Sequence, residues 1–189
     1  SKTQKGFPTN VALYYFNQLI DGIQAIHKAG IMHRDIKLEN ILLDENYDLK
    51  ITDLEFADKL IDEDGNYIKC QRCIGSESYI PPEMFGKEEY YGDKADIYSC
   101  GITLYLFLNK RFPYAKATKS DSRFRSFIED REEYIRKNSK EVSNDIVRLL
   151  AGMLNPDPEM RITINEIKQM LPTSYEKENI IKYINTLIL

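Results

Sequence analysis

Tryptophan is missing from this 189-residue chain, cysteine occurs only three times and histidine twice. Three thiols, an odd number, do not build a disulfide scaffold, and a reducing compartment fits. Cys70 and Cys73 stand in C-x-x-C spacing. Without nearby partners they make no metal-ligand set with His27 and His33, and we read the spacing as incidental. No apolar run approaches the roughly 20 residues that cross a bilayer. Ser1-Lys2-Thr3-Gln4-Lys5-Gly6 lacks the apolar core of a secretory signal. Basic charge is in deficit: 26 Lys and Arg against 30 Asp and Glu leave a net charge of −4, with no basic block. That balance argues against a nucleic-acid-binding face. The expected setting is therefore cytoplasmic or nuclear, with neither membrane nor nucleic acid as a partner. Internal repeats and low-complexity stretches are also missing. The chain is 42% hydrophobic and 30% charged, ordinary for a globular protein and long enough for one domain with a real core.

Chemistry is concentrated in His33-Arg34-Asp35-Ile36-Lys37-Leu38-Glu39-Asn40, followed at once by Ile41-Leu42-Leu43. Asp53 comes at the end of a second apolar-rich run, Leu49-Lys50-Ile51-Thr52. The two runs flank the polar stretch Asp44-Glu45-Asn46-Tyr47 and read as a short hairpin. Such a hairpin brings Asn40 and Asp53 to its open end, where both can face one cation. The set contains a carboxylate to take a proton, a lysine to sit on a phosphate, and amide and carboxylate oxygens for a hard cation. Mg²⁺ takes one or two such ligands from protein and the rest from phosphate and water. Phosphoryl transfer needs that inventory.

The segment resembles the catalytic loop of eukaryotic protein kinases, H-R-D-L-x-x-x-N followed by D-F-G, and Lys37 gives it the serine/threonine form. The resemblance implies roles position by position. Asp35 orients or deprotonates the substrate hydroxyl, Lys37 neutralises the transferring phosphate, and Asn40 and Asp53 bind Mg²⁺. Leu42 packs under adenine. Glu39 faces a basic residue of the protein substrate. Gly75-Ser76-Glu77-Ser78-Tyr79-Ile80-Pro81-Pro82-Glu83 resembles the family's G-T-x-x-Y-x-A-P-E stretch, so Ser76 contacts Asp35 and Lys37. Glu83 pairs with Arg161 in a buried ion pair, which makes each charge tolerable in the interior. His33 and Arg34 support the loop, and Asp96 bonds its backbone. Two departures stand out. Glu55 replaces the D-F-G glycine, where other residues resist the backbone angles glycine permits, and adds charge beside Asp53. From Ala57 to Gly75 there is no Ser or Thr; Tyr67 is the one hydroxyl side chain. Arg34 in relatives pairs with a phosphate in that segment, so we expect no Ser/Thr phosphorylation switch here.

The remaining pattern is helical. Val11, Tyr15, Leu19, Ile23 and Ile26 recur at helical spacing after Thr9 or Asn10 as N-cap, with Gly30 at C′. A helix from about Asp93 to Leu108 is apolar nearly all round and must be buried. Phe124, Phe127 and Ile128 mark a short helix that Tyr134 and Ile135 either extend or leave for another. Val142, Ile146, Leu149, Leu150 and Met153 form a stripe capped by Ser143 or Ser139. Thr163 and Glu166 read as a capping box, and Pro172 ends that helix. In the tail, Ile180, Ile181, Ile184, Leu187 and Ile188 stand at near-helical spacing. The tail is expected to dock on the body rather than bind a partner.

The fold expected is mainly α: a kinase-like C-terminal lobe, a helical bundle with a small β-hairpin at the catalytic loop. It occupies residues 1–172, with a helical extension over 173–189. The resemblance covers about residues 9–170 and looks most like the calmodulin-dependent and AMP-activated kinase group. The Gly-rich loop and strand lysine of the small lobe have no counterpart, so an N-terminal small lobe is an expected partner and this lobe alone is expected to be inactive. The expected function is transfer of the ATP γ-phosphate to a protein Ser/Thr hydroxyl, with ATP and Mg²⁺ as cofactors. The substrate is expected to carry basic residues near the acceptor. The alternative is a pseudokinase or truncated lobe acting as an interaction module.

Overall fold

The computed structural model describes residues 6–86, 89–139 and 142–188, with Ile188 described by its backbone alone. Residues 1–5 and 189, the ends of the two expected segments, and the Ile188 side chain lie outside the described residues. Helix α1, Thr9–Lys28, starts the body. Neither Thr9 nor Asn10 caps it. Pro8 stands at the N-cap without a side-chain bond, and its carbonyl accepts from the Ala12 N–H at 2.9 Å. Proline's fixed φ favours a helix start, and residues 9 and 10 are already inside. Gly30 has φ +75, the left-handed angle that C′ requires.

Helix α2, Gly92–Asn109, is buried on every side, as its all-round apolar pattern predicts. It packs against α1 to form the centre of the core. Three short helices follow: α3 (Ser122–Glu129), α4 (Arg131–Asn138) and α5 (Asn144–Met153). Asp130 separates the first two and accepts the Glu133 N–H, so Tyr134 and Ile135 belong to a new helix. Ser143, not Ser139, caps α5, because Ser143 directly precedes its first turn, while Ser139 is buried and bonded to Asn109. Helix α6, Ile164–Met170, has the Thr163–Glu166 capping box. Helix α7, Lys177–Ile188, begins after the Pro172 break and seats Ile180 and Ile184 in the main core. Leu187 remains outside, 57% exposed.

The strands are short. β1 (Ile31–Met32) pairs antiparallel with β4 (Asp58–Lys59), β2 (Ile41–Leu43) with β3 (Leu49–Ile51), and β5 (Lys69–Cys70) with β6 (Tyr90–Tyr91). The β2–β3 pair is the expected hairpin, in register Ile41 to Ile51 and Leu43 to Leu49. The other two pairs fix residues 56–74, the segment after the hairpin: β4 to β1, just before the catalytic loop, and β5 to β6, just before α2. A smaller core of Met32, Leu60, Cys70, Ile80, Met84, Tyr90 and Ala95 lies beneath that segment. Cys70 is buried and Cys73 exposed, both free. Among the described residues no helix is long and apolar enough to cross a membrane.

Candidate active site

The site is built on the loop between β1 and β2, and its centre is Asp35. That residue is 4% exposed. A buried carboxylate is costly unless it is hydrogen-bonded, and here both oxygens are. Oδ1 accepts the Ser76 N–H and the Ser76 hydroxyl, each at 3.0 Å. Oδ2 accepts Lys37 Nζ at 2.6 Å and Asn40 Nδ2 at 3.2 Å. Four donors fill the acceptor sites of a carboxylate. Burial alone raises the Asp35 carboxyl; the hydrogen bonds from Lys37 and Ser76 and the Lys37 charge outweigh it and hold the group below its ordinary pKa. The hydrogen bond to Asp35 raises the Lys37 ammonium, with the charges of Asp35, Glu39 and Asp53 adding to it. Lys37 also donates to Ser76 Oγ at 3.1 Å.

Ser76 reaches the loop because Gly75 turns the chain there with φ +96. A Cβ on Gly75 would lie 2.6 Å from the Arg34 carbonyl oxygen, so only glycine permits the approach. Asn40 closes a 3₁₀ turn, Leu38–Asn40. Its amide also donates to the Asp35 carbonyl at 2.9 Å, and its own carbonyl accepts the Thr52 N–H at 2.9 Å and the Thr52 hydroxyl at 3.2 Å. Thr52 thus ties the two ends of the hairpin together. Asp53 follows in the left-handed region, φ 65, with its carboxylate exposed and accepting the Glu55 N–H at 3.2 Å.

The donor chemistry suits a hard cation. The Asn40 amide nitrogen is engaged by Asp35, so its Oδ1, which has no protein donor among the described residues, and the exposed Asp53 oxygens are the available ligands. Two protein oxygens are what Mg²⁺ takes. No group of three His, Cys, Asp or Glu that could hold a metal occurs among the described residues. Glu55 is not among the residues with positive φ; the left-handed angle falls on Asp53 instead. Glu55 therefore carries no glycine-type strain, and its side chain is exposed.

Behind the loop stands Asp96, 1% exposed, on α2. Its Oδ1 accepts the Arg34 N–H at 2.7 Å and its Oδ2 the His33 N–H at 2.8 Å. Arg34 needs this hold, since its φ is 66. The His33 ring is buried: Nδ1 accepts the Asp35 N–H at 3.3 Å and Nε2 donates to the Thr52 carbonyl at 3.2 Å. Arg34 Nε donates to the Phe56 carbonyl at 2.7 Å, and its Nη2 to Asp58 at 3.0 Å. Two predicted residues stay apart from this centre. Leu42 is 54% exposed on the hairpin, and Glu39 is exposed beside Tyr79. Glu83 and Arg161 meet elsewhere, in a bidentate pair of 2.6 and 2.9 Å.

Sequence reasoning passed over His27, considered there only as a metal ligand. Its Nε2 lies 2.8 Å from Asp96 Oδ2, so it steadies the carboxylate that holds the loop. Tyr79 was also passed over; its hydroxyl accepts the Leu38 N–H at 3.3 Å. A histidine on the core-facing stripe of α1 was the available signal for the first. Nothing local signalled the second.

The protein kinase domain model matches residues 1–171. Similar sequences include serine/threonine-protein kinase CHK1 of Saccharomyces cerevisiae, 35% identical over 86% of this chain and 31% of that protein. CBL-interacting serine/threonine-protein kinase 20 of Arabidopsis thaliana is 34% identical over 89% of this chain and 37% of its own length. Serine/threonine-protein kinase SAPK3 of Oryza sativa subsp. japonica is 36% identical over 86% and 48% respectively. The chain thus spans between about a third and half of the relatives it matches.

Proposed function

The chain belongs to the protein kinase domain family, and from that premise we propose that it is the large lobe of a serine/threonine kinase, an enzyme that transfers the ATP γ-phosphate to a protein Ser or Thr hydroxyl. The observation that carries the proposal is the buried Asp35 carboxylate gripped by Lys37, Asn40 and Ser76. A carboxylate with all acceptor sites filled receives a substrate hydroxyl only when one donor leaves. Lys37 is the donor to leave: its side chain is 21% exposed, and a phosphate oxygen replaces Asp35 as its partner. Asp35, freed on Oδ2 and kept ionised by Ser76, accepts the hydroxyl proton and aims the oxygen. Asn40 and Asp53 hold Mg²⁺, which when bound neutralises charge on the phosphate oxygens. Asp96 and His33 keep the loop in this shape before substrate arrives. Leu42, 54% exposed, offers an apolar floor for the adenine.

The other wall of the nucleotide site we assign to a small lobe. Residues 1–172 are then the large lobe and 173–189 an extension folded onto it. This chain alone is expected to bind ATP weakly. Glu39 is exposed and its charge reaches Lys37, which favours substrates with a basic residue near the Ser or Thr. The test is Asp35→Asn in a protein joined to its small lobe, assayed on Ser/Thr peptides with and without neighbouring arginine. A loss of about 10³-fold or more in kcat is expected. Transfer that survives the substitution refutes the role of Asp35. A wild-type protein that binds partners yet transfers no phosphate makes the lobe an interaction module.

A further inference from the structure

The closed end of the β2–β3 hairpin is held by a part of the chain that the reaction does not use. Each strand has three residues, and a two-stranded hairpin that short is marginal by itself in water. Strand β2 gives little support of its own, because Leu42 and Leu43 are 54% and 43% exposed. Helix α1 grips one strand: Leu49 is buried against it, and the Leu49 N–H donates to Gln18 Oε1 at 2.8 Å. The turn is gripped by α7. Lys177 Nζ donates to Asp48 Oδ1 at 2.6 Å, and the Tyr47 hydroxyl donates to Asn185 Oδ1 at 2.7 Å. The Tyr14 hydroxyl reaches the same Asp48 oxygen at 3.4 Å, which joins α1 to the contact. Helix α7 is itself anchored by buried Ile180 and Ile184 and by Tyr183 against Phe7.

Lys177 and Asn185 lie about 12 Å apart along α7 at 1.5 Å per residue. They hold adjacent turn residues, so together they fix the tilt of the hairpin and not just one point on it. We infer that α7 is a brace on the catalytic hairpin, and that Lys177 and Asn185 are positioning residues for the cation ligands Asn40 and Asp53 at its open end. Lever length favours this: three residues per strand span about 10 Å, and a turn free to rock moves the two ends it joins. The metal role of those ends rests on the function proposed above; the brace itself does not.

The experiment is amide hydrogen exchange on the whole chain carrying Lys177→Ala with Asn185→Ala. Lys182→Ala on the exposed face of α7 serves as the control. Both brace contacts are at the surface, so the variant folds. The amides of Asp44 and Thr52, which donate across the hairpin to Asp48 and Asn40, are expected to exchange about fivefold faster, as suits the loss of one exposed ion pair and one hydrogen bond. Leu149 and Leu150 in α5 are expected to be unchanged, and Lys177→Arg is expected to restore most of the protection. Unchanged hairpin exchange while α7 loosens overturns the brace. So does uniform acceleration across the molecule, which is a loss of stability without positioning. Mn²⁺ binding, read by broadening at Asp53, is expected to weaken about threefold in the same variant. If the wild type binds no Mn²⁺ while the hairpin amides respond, the brace stands and the metal reading falls.

Discussion

Removal of Glu83 tests the packing of the lobe most sharply. The Arg161 side chain is fully buried and that of Glu83 is 13% exposed. In Glu83→Ala the guanidinium stays in place without its carboxylate. Breaking a buried pair from one side costs about 3–5 kcal/mol, because an uncompensated charge remains. Arg161 keeps other partners: the Asn155 carbonyl at 3.1 and 2.9 Å, the Lys94 carbonyl at 2.8 Å, and the Tyr98 ring 4.9 Å away. These offset part of the loss, so we expect the lower end, about 3 kcal/mol. In a chain of this length that lowers Tm by about 6–12 °C. Urea unfolding should show a lower midpoint with an unchanged slope. Adding Arg161→Met removes the stranded charge, so the double variant should recover about 1 kcal/mol or more over Glu83→Ala. A loss below about 1 kcal/mol, or a double variant less stable than the single, refutes the claim that burial of a paired charge governs this site.

Gly75→Ala places a Cβ 2.6 Å from the Arg34 carbonyl at φ +96. It should cost about 1–3 kcal/mol in urea unfolding and shift the Ser76 amide resonance as that residue leaves Asp35. Glu55→Gly should destabilise by about 0.4–1 kcal/mol through unfolded-state entropy, because no positive φ is there to relieve; a stabilised variant would show that Glu55 is strained after all. The depressed Asp35 carboxyl sets a pH dependence. A folded pKa below the unfolded one gives stability that is present above the unfolded pKa and lost as pH falls through the folded value. The stability difference between wild type and Asp35→Asn should therefore be flat above about pH 5 and shift against the wild type in more acid solution. Urea midpoints at several pH values check this, and parallel curves contradict it.

Legibility followed the range of the interaction. Helix α1, α2 and the stripe of α5 were readable because periodicity is a local signal many residues long. The hairpin was readable because its turn is polar and its strands apolar. The two-residue strands β1, β4, β5 and β6 were not, since two residues carry no period and their pairing is set by tertiary contact. The break at Asp130 left two helices that pattern alone could have joined. The loop from His33 to Asn40 announced its chemistry by density of functional groups. Ser76 and Asp96 did not: Ser76 acts 41 positions from Asp35 and Asp96 acts 63 positions from His33, and only the family resemblance joined them.

Asp93 and Asp96 show why such residues stay hidden. They lie three positions apart on the same helix and are the same amino acid. Asp96 is 1% exposed and takes the His33 and Arg34 N–H groups as well as the His27 ring. Asp93 leaves Oδ1 buried without a hydrogen-bond partner among the described residues, and burial raises its carboxyl. The difference lies in what each carboxylate meets when α2 packs. Asp96 faces the β1–β2 loop, where two backbone donors converge in a strained conformation that needs an acceptor. Residue type thus specifies what an α2 carboxylate can do. Only the packed loop decides which of the two does it, so the supporting residues of a catalytic loop are legible last even when the loop itself is legible first.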